Sequence, residues 1–529
     1  MKSLKYTISF LLLLSTIVFT QWSLTPDDFL EIHSSHLYMG ACSDENGGMF
    51  VTYADYNTGG TSPYSRSLFL KHFDQFGIEL IQTPTEIDTL TWYIWDNAPS
   101  LTSDGCSGLY IGYTQDSLVQ EIEFYPYFKG KAKVQRISNN GEKMWGDEGI
   151  QLSINSRFQS ALPIATTSSY DLIVGWNEWD ELSLPDTNNF FINKLSDYGI
   201  SQWGAEGIQI GEPDTKHTVE GYSILPDGSG GAIISYEEEN IYKIQRVSES
   251  GESQWIIVVP HYKSIVSDLV GGILVVESRF IESSNYELYI NKIDSEGNLT
   301  WSEAGLFIDY SNQPFNNNSL SIYMRPDSTV VCHFTKTSGG STQSYLQYVS
   351  FSGNSILESP LHTSSELCGT RVARGMVGSN ENSTIFVMQD DRDAEFKTYC
   401  TKISSNGQIL WDSNDILFWD QQILDGILLS DQTDGLINIA YGNSPTSPQL
   451  MAQKISVFGN IGEVVPLIST IGDINSDGSV NILDVVIVVA VILGDYEGND
   501  YELQESDVNC DGTIDVLDIV YIVDIILNM

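Results

Sequence analysis

The apolar and polar positions of this chain fall into two regimes. Over residues 38–468 short apolar runs alternate with turn-forming clusters. Nearly unbroken runs recur as GGMFVTY (Gly47–Tyr53), SGLYIGY (Ser107–Tyr113), DLIVGW (Asp171–Trp176), GGAIISY (Gly230–Tyr236), GGILVVE (Gly271–Glu277) and GLINIAY (Gly435–Tyr441). Runs of this kind read as strands buried on both faces. An alternating strand follows each, as in Leu288–Ile293, and a short segment such as Ala98–Gly105 precedes it. The last sixty residues differ: two oxygen-rich stretches are each followed by an apolar run at Val485–Leu493 and Ile519–Leu527.

One phrase punctuates the first regime. It reads RISNNGEKMW at Arg136–Trp145, KLSDYGISQW at Lys194–Trp203, RVSESGESQW at Arg246–Trp255, KIDSEGNLTW at Lys292–Trp301 and KISSNGQILW at Lys402–Trp411. Weaker copies begin at His72, Tyr348 and Lys454. The eight turn glycines run from Gly77 to Gly459 at a mean spacing of about 55 residues, a period typical of propellers, solenoids or arrays. Asp or Ser followed three residues later by Gly is a hairpin-turn signal, with the glycine supplying φ > 0. We therefore read the phrase as joining the third strand of a repeat to the fourth, with tryptophan on the fourth strand. Four strands repeated eight times predict a mainly β protein, an eight-bladed β-propeller, with seven blades the alternative. A parallel β-helix is the competing fold, but its coils are shorter and its turns are not hairpins.

The phrase resembles the repeat of eight-bladed quinoprotein-like propellers, whose Asp-x-x-x-Gly-x-x-x-Trp pattern docks each blade on the next. The resemblance implies the fold and blade packing through Trp145, Trp203, Trp255, Trp301 and Trp411, and no bound quinone. Ile81, Leu357 and Glu463 stand where tryptophan would.

In the second regime, Asp473, Asn475, Asp477, Asn481 and Asp484 occupy positions 1, 3, 5, 9 and 12 of a loop with Gly478 at position 6. Asp507, Asn509, Asp511, Asp515 and Asp518 repeat that spacing around Gly512. Hard divalent cations take six to eight oxygens, and this register wraps the chain around one point. Ser479 and Thr513, at position 7, would add their carbonyl oxygens. Two Ca2+ sites are expected. The pair resembles a type I dockerin over residues 472–528. That family binds cohesin modules and is associated with polysaccharide breakdown. The resemblance implies a cohesin-like partner and places partner-selecting positions at Ile482–Leu483 and Val516–Leu517. The small hydroxyl residues common there are missing, and the last basic residue of the chain is Lys454. The two apolar runs require burial against each other and against a hydrophobic partner or the propeller itself.

Composition narrows the partners. Seventy acidic residues face 25 basic ones, for a net charge of −45 over 529 residues. That argues against nucleic acid and anionic membranes. Lys2 and Lys5 precede an apolar run of about a dozen residues, expected to be a signal peptide over 1–20. It is short for a membrane anchor, the alternative. The expected domains are a propeller at 21–468 and a dockerin-like module at 469–529, in a secreted or surface protein. Six cysteines permit disulfides, and Cys42 with Cys106 is the first pair to test, since they hold similar places in adjacent repeats. Cys510, at loop position 4, points away from a metal.

No catalytic constellation emerges from the residues. The sialidase Asp-box places tryptophan three residues after glycine, not four. Glycosidases need two carboxylates about 5–10 Å apart. Candidates are Glu178, Asp180, Glu181, Glu237, Glu238, Glu239, Asp390, Asp391 and Asp393, all read as a solvated rim. His33 and His36 precede the first blade. Two readings remain: a non-catalytic propeller binding a polysaccharide or surface protein, and a carbohydrate-active enzyme (an O-glycosyl hydrolase or lyase).

Overall fold

The turn that closes each repeat is built one way throughout. In Ser196–Gly199 the Gly199 N–H donates to the Ser196 carbonyl, and the Ser196 Oγ accepts from the Ile200 N–H at 3.2 Å. Asp294 uses its carboxylate for the same task, accepting from the Glu296 and Asn298 N–H groups. All eight turn glycines have positive φ, from +75° at Gly199 to +88° at Gly141, where a Cβ is costly.

The computed structural model describes residues 21–528 apart from 35–39, 57–64, 92–97, 123–124, 156, 180–187, 216, 261, 282–284, 303, 316–319, 339–340, 367, 379–382, 412–414, 443–448, 466–471, 473, 476–479, 495, 497–505, 507 and 509–513. The expected signal peptide lies outside the described residues. None of the described helices is long and apolar enough to cross a membrane.

The strands form eight four-stranded antiparallel sheets. Blade 1 is Gly40–Ser43, Met49–Tyr56, Ser65–Phe73 and Thr85–Thr91, each strand pairing with the next. Blades 2 to 7 repeat this order from Ser100–Ser103 to Ile416–Trp419. The first strands of neighbouring blades touch all the way round, and Ile423–Ser430 of blade 8 meets Gly40–Ser43 of blade 1. The ring is thus closed. Apolar faces of adjacent blades merge, as where Ile173, Phe190 and Ile192 of blade 3 pack with Tyr222, Ile224 and Ile234 of blade 4.

Closure uses the start of the chain. Blade 8 takes three strands from its own repeat and its fourth from Leu30–His33, with Leu30 opposite Ala452 and Glu31 opposite Met451. His33 therefore does not merely precede the first blade. It lies on the closing strand, stacks on Tyr53 and pairs with Asp55 at 3.4 Å. His36 is outside the described residues.

Each phrase tryptophan sits beneath the turn of the following blade. The indole Nε1–H of Trp145, Trp203, Trp255 and Trp411 donates to the carbonyl of Asp197, Glu249, Ser295 and Val457 respectively, at 2.8–3.1 Å. These are the second residues of the next turns. A Cβ on Gly353 would stand 2.7 Å from the Trp301 ring, so glycine is required for approach as well as for φ. Where tryptophan is absent, Ile81 lies beneath Gly141 and Leu357 beneath Gly407. Glu463 breaks the pattern for a different reason. At that junction Trp22 takes the slot, donating to the Gln75 carbonyl at 2.9 Å beside Gly77. Of the five phrase tryptophans only Trp255 lies within a fourth strand. Elsewhere a single bridge, such as that between Ile293 and Leu299, closes the turn and the fourth strand starts later.

A buried acid pairs with the first residue of most phrases. Asp44–His72, Asp104–Arg136, Asp227–Arg246, Asp268–Lys292 and Asp431–Lys454 are 2.8–3.7 Å apart, and blade 3 uses Asp171 with Lys194 at 3.1 Å. The Asp227 Oδ1 also accepts from the Ser229 and Gly231 N–H groups, fixing the turn before the second strand. Burial raises the Asp227 carboxyl, but hydrogen bonds from Ser229, Arg246 and Gly231 outweigh it and hold its pKa below the ordinary aspartate value. Asp431 and Lys454 lie 3.1 Å apart without hydrogen-bond alignment, and burial lowers the Lys454 pKa against the pull of Asp431.

The expected Cys42–Cys106 bridge does not form. Cys42, Cys332, Cys368 and Cys400 are free thiols, whereas Cys106 is in a disulfide. Cys42 lies within the first strand of blade 1, opposite Phe50 and buried with Leu68 of its own blade, whereas Cys106 lies in the turn after the first strand of blade 2.

Two outcomes follow for stability. Trp22→Ala should cost about 3–5 kcal/mol in denaturant unfolding, because Trp22 is only 2% exposed at the ring seam. A loss under about 1 kcal/mol would contradict that role. Asp227→Asn should cost about 1–3 kcal/mol at pH 7. A depressed carboxyl stabilises above its unfolded pKa and stops doing so as pH falls through the folded value. The gap between variant and parent should therefore begin to shrink below about pH 4 and be lost as pH falls through the folded value, and a gap that stays constant with falling pH would refute the charge-based account.

Candidate metal centre

The second regime folds as two helices, α1 (Ile482–Leu493) and α2 (Val516–Asn528). The sequence ILDVVIVVAVIL is rich in β-branched residues, which favour strands. Its ends fix it as a helix. Asn481 is the N-cap, its Oδ1 accepting from the Leu483 N–H at 2.9 Å, and Asp484 accepts back from the Asn481 N–H at 2.8 Å. Gly494, at φ +71°, ends the helix by donating to the Ala490 and Val491 carbonyls. Such a capping box satisfies two orphan donors. The second helix repeats it: the Asp515 Oδ1 accepts from Leu517 N–H at 2.7 Å, and Asp518 accepts from Asp515 N–H at 2.8 Å.

Asp484 and Asp518 are both fully buried. The other oxygen of Asp484 accepts from the Asn475 N–H at 3.1 Å, which draws loop position 3 towards position 12. Burying a carboxylate is costly unless it is compensated. Residues 455–529 contain no Lys, Arg or His, so within this module the donors that reach these carboxylates are backbone N–H groups. The chemistry of the donor set, all oxygen, suits a hard divalent ion.

Of the expected ligands, Asn475, Asn481, Asp484, Asp515 and Asp518 are among the described residues. Asp473, Asp477, Ser479, Asp507, Asn509, Asp511 and Thr513 lie outside them. Among the described residues no three His, Cys, Asp or Glu side chains converge as a metal site. Asn481 and Asp515 act as caps, and Asp484 and Asp518 brace the loop ends.

The helices bury one another around Ile474, Val480, Val485, Val488 and Ile522. That meets part of the burial their sequences require. Ile482, Leu483 and Val486 on α1, and Val516, Leu517 and Val520 on α2, remain more than half exposed. These apolar patches are related by the internal repeat and sit at the starts of both helices.

The propeller's candidate carboxylates are engaged in packing. Glu178 is buried and accepts from the Trp176 indole at 3.0 Å and from Asn155. Glu238 is buried, accepts from the Glu212 N–H at 2.6 Å and pairs with Lys243. Asp390 is buried between Arg371 and Arg392, at 3.0 and 2.6 Å. These three are not on a solvated rim, contrary to the sequence expectation. They stand near the ends of second strands that are buried on both faces, and each has a partner there. Asp391 accepts from the Gly369 and Thr370 N–H groups and Asp393 from the Tyr399 hydroxyl. Glu239, just beyond its strand, stands at φ +51°. Asp180 and Glu181 are outside the described residues.

A cleft of 540 Å³ at blades 6 and 7 is lined by residues including Gln343, His362, Ser364, Cys368 and Arg371. Burial, Arg371 and Lys336 hold the His362 pKa below its ordinary value, so the ring is neutral at neutral pH. Arg371 is committed to Asp390 and to the Ser364 and Glu366 carbonyls. What sequence reasoning missed was the acid–base pair inside six of the blades. Its signal was legible in SDENGG at Ser43, SDGCSG at Ser103 and SDLVGG at Ser267.

The dockerin type I domain family matches residues 471–527. No curated protein matches the chain. Similar solved structures include the β-propeller domain of the Trilobed protease from Pyrococcus furiosus, 10% identical, covering 69% of this chain and 98% of that one at a TM-score of 0.39. Prolyl oligopeptidase B from Galerina marginata is 11% identical, covering 70% of this chain and 50% of that one at 0.40. The polysaccharide lyase PL25 ulvan lyase is 9% identical, covering 84% and 96% at 0.39. Likeness at this level carries no activity across. With the ring closed at eight blades and the family match lying over the paired loops, the chain is an eight-bladed β-propeller that ends in a type I dockerin domain.

Proposed function

We propose that the protein is exported and acts as a binding or scaffold propeller, tethered by a calcium-dependent interaction between its dockerin domain and a cohesin-type partner in a setting of polysaccharide breakdown. The observation that carries this reading is the pair of buried loop-end carboxylates, Asp484 and Asp518, braced identically in a module without a basic side chain. Two Ca2+ ions, one per loop, would supply the missing positive charge. Asp473, Asn475, Asp477, Asn481 and Asp484 would hold one, with the Ser479 carbonyl. Asp507, Asn509, Asp511, Asp515 and Asp518 would hold the other, with the Thr513 carbonyl.

The exposed Ile482–Leu483 and Val516–Leu517 pairs form the partner face under this reading. Their apolar character calls for a hydrophobic counterpart, since desolvating a polar one would leave its groups unpaired. A propeller acting as a carbohydrate-active enzyme is the competing reading. The commitment of Glu178, Glu238 and Asp390 to buried partners favours the scaffold.

Calorimetric titration should show two calcium sites on the parent protein and at least a tenfold weakening of one site in each of Asp484→Asn and Asp518→Asn. Cohesin-type modules should capture the parent in calcium and lose it in chelator. Absence of calcium uptake by the parent would sink the tethering mechanism. Release of reducing ends from a polysaccharide, abolished by one carboxylate-to-alanine change in the propeller, would replace the scaffold with the enzyme.

A further inference from the structure

Cys106 stands in the turn between the first two strands of blade 2, where its N–H donates to Asp104 Oδ1 at 2.9 Å. It is in a disulfide. The sequence has six cysteines, and Cys42, Cys332, Cys368 and Cys400 are free. Cys510, which itself lies outside the described residues, is the one cysteine left. A second observation points the same way. A cleft of 210 Å³ is lined on one side by Cys106, Arg136, Asn139 and Met144 of blade 2, and on the other by Val508, Tyr521 and Ile525 of the dockerin domain. Val508 is two residues from Cys510 and belongs to the helical core with Ile522.

From this juxtaposition we infer that a Cys106–Cys510 disulfide fastens the dockerin domain to the rim of blade 2, with the Tyr521–Ile525 side of α2 facing the propeller. The bond joins residues 404 positions apart and closes a second, covalent loop around a module otherwise joined only through the segment after Val464. On α2, Tyr521 and Ile525 lie four residues apart on one face. The cross-link sets the orientation in which the propeller is presented to any partner of the exposed Val516–Leu517 and Ile482–Leu483 pairs.

Formation of the bond takes two electrons and two protons from the two thiols. A disulfide oxidant of the export route accepts them by thiol–disulfide exchange and leaves as a dithiol. The inference rests on the proposed export to an oxidising compartment, but it requires neither calcium nor a partner.

The test is made on the full chain, produced by export and unfolded without reductant. Thiol titration should count four free thiols before reduction and six after. Non-reducing digestion should yield one linked pair of peptides containing Cys106 and Cys510. With a protease site inserted within 466–471, the cut protein should stay one species on electrophoresis until reductant is added, in calcium and in chelator alike. In Cys510→Ser the two fragments should separate without reductant, while five free thiols are counted. Six thiols in the parent, a Cys106 peptide linked elsewhere, or separation of the cut parent without reductant would each overturn the inference. Those results would leave the calcium titration untouched, so the two readings fail separately.

Discussion

In most blades one backbone carbonyl bears the contact on which the ring depends. It belongs to the second residue of the phrase turn and faces the preceding blade. The Asp197 carbonyl accepts from both Trp145 and Arg136, the Ser295 carbonyl from Trp255 and Arg246, and the Val457 carbonyl from Trp411 and Lys402. Aromatic and basic donors thus converge on one acceptor across a blade boundary. The turn must expose that carbonyl and let an indole ring lie flat beneath it, so the residue two further on is glycine. The basic donor is held straight by a buried acid of its own blade, as Asp104 holds Arg136 and Asp227 holds Arg246. Breaking such a buried pair strands a charge, which costs far more than the pair itself contributes.

This constraint explains which parts of the fold were legible in the sequence. Glycine and tryptophan recur at a fixed offset because a single contact needs both, so the repeat and the number of blades could be read directly. The acid–base pairs were as regular but went unread, because the acid lies some twenty to thirty residues before its base in a differently patterned turn. The closing strand was not readable. Leu30–His33 carries no phrase and its partners lie beyond residue 449, so no local period announces it. The exception at Glu463 was in fact its trace: the slot was filled by Trp22 from the other end of the chain. Cys42 and Cys106, the first pair to test, do not bridge, because recurrence in adjacent repeats is not proximity.

In the dockerin domain the repeated loop-and-apolar-run pattern was legible, because oxygen spacing and hydrophobic runs are both local. The cleft between Cys106 and Arg136 of blade 2 and Val508, Tyr521 and Ile525 of the module was not, since it joins residues separated by most of the chain. Charge joins the two parts. The propeller spends much of its small stock of basic residues inside blades, at Arg136, Lys194, Arg246, Lys292 and Lys454. The net charge of −45 is therefore carried by a strongly acidic surface and a tail without cations. Such a surface keeps the protein apart from polyanions, and the tail buries Asp484 and Asp518 without a cationic side chain of its own.

Native-state hydrogen exchange at the seam tests the central claim, a ring closed by its first strand and by Trp22, most directly. Amides of Leu30–His33 and their partners in Leu450–Ile455 should exchange through the same opening, at the same free energy, as those of Leu172–Trp179 within blade 3. Rapid exchange confined to Leu30–His33, with blade 3 still protected, would show an open ring and contradict the account.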